Sequence, residues 1–148
     1  MPSILVLNGP NLGRLGSREP EVYGTQSLAD IEQALAGVFG SSVILRFEQT
    51  DDEAEMIGFL HTAVDEGLSV VINPAAFTHY SYALRDACAM VTQAGLTLVE
   101  VHLSNPHARE EFRHRSVISG VAHGVIAGFG YDSYRLAIDF IVNKGRGS

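Results

Sequence analysis

A chain of 148 residues, 46% hydrophobic and 18% charged, has the length of one domain and enough apolar side chain for a single core. Its 17 acidic against 10 basic residues leave a net charge of −7, the wrong sign for gripping a nucleic-acid backbone, although a few focused arginines can still hold a small anion. One cysteine, Cys88, excludes an intrachain disulfide framework and a cysteine-built zinc site, and the one lysine, Lys144, lies in the tail NKGRGS, where a frayed terminus supplies no positioned amine for Schiff-base chemistry. The opening MPSILVLNGP has no basic n-region and only a short apolar run, and no window approaches the roughly 20 apolar residues of a membrane span. A cytoplasmic protein with no membrane partner is expected. Neither a G-x-S-x-G elbow nor a P-loop occurs.

Ile4–Leu7 is a continuous apolar run, the mark of a strand buried on both faces. The connection from Asn8 to Ser27 is long for a strand-to-helix loop, since most span about 2–6 residues. It carries Arg14, Arg18, Glu19 and Tyr23 among four glycines and reads either as a surface loop or as a lid, residues 9–24, over the strand ends. Leu28, Ile31, Leu35, Val38 and Phe39 fall at helical spacing, with Ser27 as N-cap and Asp30 at the third helical position. Val43–Phe47 is the second strand, and Met56, Ile57, Leu60 and Val64 mark the next helix. Leu68–Ile72 is the third strand, followed by a helix from Tyr82 to Val91 in which Cys88 reads as a small buried hydrophobe. Leu96–Leu103 is the fourth strand, Ala108–Arg113 suggests a short helix, Val125–Phe129 is the fifth strand, and Tyr134, Ile138 and Ile141 mark a last helix.

Five strands alternating with helices imply right-handed crossovers and a parallel sheet covered on both faces. At this size the expected solution is an α/β, flavodoxin-like, doubly wound sheet of order 2-1-3-4-5, in one domain spanning residues 1–148. Ligands in such sheets bind beyond the carboxyl ends of the strands. Strand 1 ends in Asn8-Gly9-Pro10-Asn11, strand 3 in Asn73-Pro74 with His79 close behind, and strand 4 in Glu100-Val101-His102-Leu103-Ser104-Asn105. Three neighbouring strands thus deliver amides, imidazoles and a carboxylate to one rim.

Glu100 and His102 are two apart in a strand and share a face, roughly 6–7 Å apart. They read as a buried, satisfied polar pair or as an acid–base group with its orienting carboxylate. Ser104 and the amides beside it offer a carboxylate seat at a helix start, and Arg109 and Arg113, four apart, share a face if that segment is helical. They could equally pair with Glu110 and Glu111 at the surface. Tyr23 is an unusual base, because a phenol titrates near ~10, but a nearby guanidinium such as Arg18 lowers that value. Spacing alone leaves Tyr23 equally a surface or packing residue. His79 is expected at the start of the third helix, and Asp86 on an exposed face of it. No metal-ligand spacing is present, and Gly128–Gly130 is not a full dinucleotide fingerprint because Ser133 takes its last glycine place. The set suits proton abstraction beside a carbonyl, with donors for an enolate and an acid for a leaving group. That is the chemistry of a lyase or isomerase acting on a small polar acid.

The run LNGPNLGRLGSREPEVYG resembles the opening of the type II 3-dehydroquinases (3-dehydroquinate dehydratases). The stretches NPAAFTHYSYALRDA and VEVHLSNPHAREEFRHRS resemble two further signatures of the same family, and the likeness spans essentially the whole chain. The resemblance implies a lyase that needs no cofactor and no metal. It implies a reversible anti elimination of water from 3-dehydroquinate to 3-dehydroshikimate, in the shikimate pathway of aromatic amino acid biosynthesis. By motif position it makes Tyr23 the proton acceptor, Arg18 the group that lowers its pKa and stabilises developing charge, and Asn11 the holder of a water on the enolate oxygen. His102 becomes the proton donor to the departing hydroxyl, with Glu100 supporting it. Asn73, His79 and Arg113 would grip ring hydroxyls, and the backbone at Leu103 and Ser104 would seat the carboxylate. Asp86 would reach the site from an adjacent subunit of a homododecamer, a tetramer of trimers.

The sequence departs from that pattern at Gly13, Ala75, Pro106 and Arg115, changes that bear on turn geometry and lid mobility rather than on the chemistry. Two other functions share the scaffold. A flavin binder or receiver module would want a hydroxyl-rich or acidic loop after strand 1, which Asn-Gly-Pro-Asn does not offer. Another lyase or isomerase would be told apart by its keto-acid substrate.

Overall fold

The computed structural model describes residues 1–17 and 19–147, with only the backbone of Tyr23 and of residues 145–147. Its five strands are β1 Ser3–Asn8, β2 Ile44–Gln49, β3 Ser69–Asn73, β4 Leu98–His102 and β5 Gly124–Ala127, all parallel, in the order β2-β1-β3-β4-β5. The sheet is the expected doubly wound, flavodoxin-like arrangement. Helices α1 Pro20–Tyr23, α2 Leu28–Phe39, α3 Glu53–Glu66, α4 Tyr82–Gln93 and α5 Tyr131–Gly147 connect or follow the strands.

The side-chain period of two splits each central strand between two cores. Ile4, Val6, Val71, Val99 and Val101 face α2 and α5, where Ile31, Leu35, Tyr134 and Ile138 meet them. Leu5, Leu7, Val70, Ile72 and Leu98 face α3 and α4, against Met56, Leu60, Leu84 and Cys88. Because both faces of β1 and β3 are covered, their sequences read as apolar runs, while β4, equally buried, is interrupted by Glu100 and His102. Glu100 and His102 fall on the same face as Leu98, beneath the segment carrying Ile118. Cys88 is fully buried, and burial pushes its thiol up to about 12, so it is an inert core residue.

Helix starts follow local chemistry. Ser27 Oγ accepts from Asp30 N–H, and the Asp30 carboxylate accepts from Ser27 N–H, closing the expected capping box of α2. Asp52 and Ser81 cap α3 and α4 in one direction only, Asp52 accepting from Ala54 and Glu55 N–H and Ser81 from Leu84 N–H.

Three sequence expectations change. Ala108–Arg113 is not a helix but parts of two 3-10 turns, Pro106–Ala108 and Glu111–His114. The break between them comes from extended backbone at Arg109 and Glu110, which interrupts the helical ladder. His79 closes a 3-10 turn, Ala75–His79, and the cap of α4 is Ser81. Lys144 lies within α5 rather than in a frayed tail, and its Nζ donates to Thr97 Oγ1 at 3.2 Å. Thr97 precedes β4, so this amine sits at the amino ends of the strands, away from the rim where the polar residues converge.

Candidate active site

A cavity of about 80 Å³ opens at the carboxyl ends of β1, β3 and β4. Pro10, Asn11 and Leu12 reach it from β1, and Asn73, Ala75, Ala76 and His79 from β3. His102, Leu103, Ser104, Pro106, Arg109 and Arg113 reach it from β4 and the turns after it. The crossover point between β1 and β3 creates this crevice, because the loops there run to opposite faces of the sheet.

The floor is tightly packed. Gly9 N–H donates to the Asn73 carbonyl at 2.8 Å, and a Cβ on Gly9 would stand 2.6 Å from the Pro74 oxygen, so only glycine fits there. Asn11 follows in left-handed backbone, φ 70°, and its N–H donates to Asp51 Oδ1 at 2.9 Å. Gln49 Nε2 donates to the Gly9 carbonyl at 3.2 Å and to Asp51 Oδ1 at 3.1 Å, so the end of β2 ties down the first turn after β1. A Cβ on Gly13 would come within 3.1 Å of Gln49 Oε1, which is the room that glycine gives this tie.

Asn73 is buried, with Nδ2 donating to the Tyr134 hydroxyl at 2.9 Å and Oδ1 accepting from Ala75 N–H at 3.2 Å. The Tyr134 hydroxyl in turn donates to Asn8 Oδ1 at 2.6 Å. Ala75 itself has φ 51°, a left-handed conformation that glycine takes more easily. The wall beyond it is His79, whose Nδ1 stands 2.8 Å from the Arg115 carbonyl. A carbonyl only accepts, so Nδ1 carries the proton. Burial lowers the pKa of His79, reinforced by the neighbouring His102 and Arg113 and opposed by the bond to Arg115 and by the Glu100 charge.

His102 forms the opposite wall, with Nε2 2.5 Å from Glu100 Oε2. Glu100 does not line the cavity; it stands behind His102 at 1% exposure, with Oε1 accepting from Ser119 Oγ at 2.8 Å and Ser116 Oγ at 3.1 Å. A second, larger cleft of about 370 Å³ lies on that side and shares His102, Pro106 and Arg113 with the first. Arg113 Nε donates to Glu110 Oε1 at 2.9 Å while remaining on the wall of both. The pairing with Glu110 is the surface contact expected for Arg113, and the same side chain also borders both cavities.

The long connection after β1 holds a 3-10 turn, Leu12–Arg14, and the single helical turn α1. Glu19, between them, reaches Arg109 at 3.6 Å, linking this connection to the turns after β4 at the cavity mouth. Arg18 and the side chain of Tyr23 lie outside the described residues. Asp86 is exposed on α4, pairs with Arg85 at 2.9 Å and does not border the cavity of its own chain. Among the described residues no group of three His, Cys, Asp or Glu side chains is placed to hold a metal ion, and no helix is long and apolar enough to cross a membrane. The sequence marks Tyr134 only as a helix residue and carries no local signal for the parts played by Ser116, Ser119 and the Gln49–Asp51 tie. Arg109, which the sequence sets just after the Ser104 seat, also borders the cavity.

Residues 2–142 match the family described as Dehydroquinase class II. The chain is 60% identical over 144 residues to a 3-dehydroquinate dehydratase of Kineococcus radiotolerans, covering 95% of each chain. It is 55% identical over 144 residues to that of Bacillus licheniformis, covering 97% of each. A crystal structure of type II dehydroquinase from Propionibacterium acnes superposes with a TM-score of 0.92 at 45% identity, covering 97% of each chain.

Proposed function

The chain belongs to the class II dehydroquinase family, and from that premise we propose how it acts as a type II 3-dehydroquinate dehydratase, a lyase. The reaction is a reversible anti elimination that needs no cofactor and no metal. The Tyr23 phenolate, kept anionic by the Arg18 guanidinium, removes the proton beside the ketone of 3-dehydroquinate. Charge moves onto the carbonyl oxygen as an enolate, held through a water on Asn11 and by Arg18. His102 then gives its proton to the departing hydroxyl, the enolate collapses to the conjugated enone, and water leaves. Asn73, His79 and Arg113 grip the ring hydroxyls, while the backbone at Leu103 and Ser104 seats the carboxylate.

The observation that carries this reading is the wall of the rim cavity. There His102 is backed by a buried carboxylate and stands across from Asn73 and His79, with Arg113 beside it. The Glu19–Arg109 contact at the mouth supports a lid formed by residues 9–24, which brings the turn that carries Tyr23 over the ring and excludes water. An exposed Asp86 that its own cavity does not use supports delivery to a neighbouring subunit in a homododecamer, a tetramer of trimers, whose mass light scattering reads directly. We place the enzyme in the cytoplasm, in the shikimate pathway.

The test is a cofactor-free assay with 3-dehydroquinate, following the ultraviolet absorbance of the enone carboxylate. Tyr23→Phe is expected to lower kcat by about 10²–10⁴-fold, the usual scale of general base catalysis, while substrate still binds. Full turnover by that variant would remove Tyr23 from the chemistry.

A further inference from the structure

A carboxylate in the middle of a buried strand is stable only if both oxygens find donors. Glu100 is 1% exposed, and the partners on Oε1 are the hydroxyls of Ser116 and Ser119. Ser116 cannot turn its proton elsewhere. Its Oγ accepts the N–H groups of Ile118 and Ser119, both at 3.0 Å, and a hydroxyl has two lone pairs and one proton. With both lone pairs engaged, the proton goes to Glu100 Oε1. The turn that holds these serines is fixed in its own right. Ile118 is fully buried in the core against α3 and α4, and Val117 N–H donates to the Thr78 carbonyl at 2.8 Å.

We infer that Ser116 and Ser119 are positioning residues for the acid–base step, acting through Glu100 on His102. Two donors on Oε1 set the plane of the carboxylate and present Oε2 to His102 Nε2 as an acceptor. The proton of that contact therefore resides on Nε2. Nδ1 is left as the nitrogen that serves the substrate. In the elimination the imidazolium passes its Nδ1 proton to the leaving hydroxyl and ends as the neutral Nε2–H form, which is the form the clamp selects. In the hydration direction Nδ1 takes the proton from water. Without the serines the carboxylate can rotate, and the ring loses both its tautomer preference and its aim. The inference rests on the proposed acid role of His102 for its catalytic consequence, but not for the tautomer.

The test uses the intact assembled enzyme with Ser119→Ala and Ser119→Thr, because Ser119 contributes to Glu100 without capping the turn as Ser116 does. A hydrogen bond to a charged group has the scale of about a tenfold effect, so Ser119→Ala is expected to lower kcat about tenfold with KM held within about twofold. Solid-state ¹⁵N spectra of histidine-labelled protein, with His102→Gln assigning the signal, are expected to show His102 as the Nε2–H tautomer in the parent and as a mixture in Ser119→Ala. Ser119→Thr keeps the hydroxyl and is expected to recover both. A parental kcat and tautomer in Ser119→Ala overturns the inference. So does a Ser119→Thr that falls as far as Ser119→Ala, which marks a packing role. A fully active His102→Gln would instead strike the acid role of His102, while the ring tautomer still decides the serine clamp.

Discussion

Replacing Tyr134 by phenylalanine isolates one oxygen atom. The ring is fully buried in α5, and its hydroxyl accepts from Asn73 Nδ2 at 2.9 Å while donating to Asn8 Oδ1 at 2.6 Å. Tyr134→Phe keeps the ring in the core, so no large cavity forms. It leaves Asn8 Oδ1 and Asn73 Nδ2 short of a partner among residues that are 0% and 3% exposed. An unsatisfied buried polar group costs about 1–3 kcal/mol, so two cost about 2–6 kcal/mol. At about 2–4 °C per kcal/mol for a domain of this size, Tm should fall by at least about 4 °C. Denaturant titration at fixed protein concentration, which holds any assembly contribution constant, should report the same loss. The effect should also reach the site. Asn73 Oδ1 stays on Ala75 N–H, but the amide loses the bond that sets its tilt, and KM should rise several-fold more than kcat falls. A variant within about 0.5 kcal/mol of the parent, with unchanged KM, would show that the two asparagines re-pair unaided and that the bridge does not organise the rim.

Two further outcomes follow from individual residues. His79 titrates below its ordinary 6.5, so across the window under that value the unfolded chain binds more protons than the folded one. Its contribution to stability is complete above that window and is lost as pH falls through it. The urea midpoint of the parent should therefore drop further than that of His79→Gln between about pH 7.5 and 5.5, and an equal or reversed change refutes the assignment. Ala75 at φ 51° carries left-handed strain of about 1–2 kcal/mol, against about 0.4–1 kcal/mol of chain entropy that a glycine adds to the unfolded state. Ala75→Gly should leave Tm unchanged or slightly raised and Ala75→Val should lower it, so a clear loss on introducing glycine would contradict the strain.

Local pattern and long-range contact divide the molecule between them. The apolar runs at Ile4–Leu7 and Leu68–Ile72 announce strands covered on both faces, because a parallel sheet leaves them no polar side. The Ser27–Asp30 box is legible because its two bonds close within one turn. Glu100 and His102 declare a shared face because strand residues two apart always share one. Asn11, Asn73 and His102 could be expected at one rim, since the order of a doubly wound sheet brings those strand ends together. The short helix expected over Ala108–Arg113 does not form, because the helical spacing of Arg109 and Arg113 does not reveal the extended break at Arg109 and Glu110. What only tertiary structure decided is who holds those side chains. The Tyr134–Asn8 bond spans 126 positions, and the Ser119–Glu100 bond spans 19. No periodicity links such partners, because they meet only where packing of distant elements closes a buried polar group that the solvent has left.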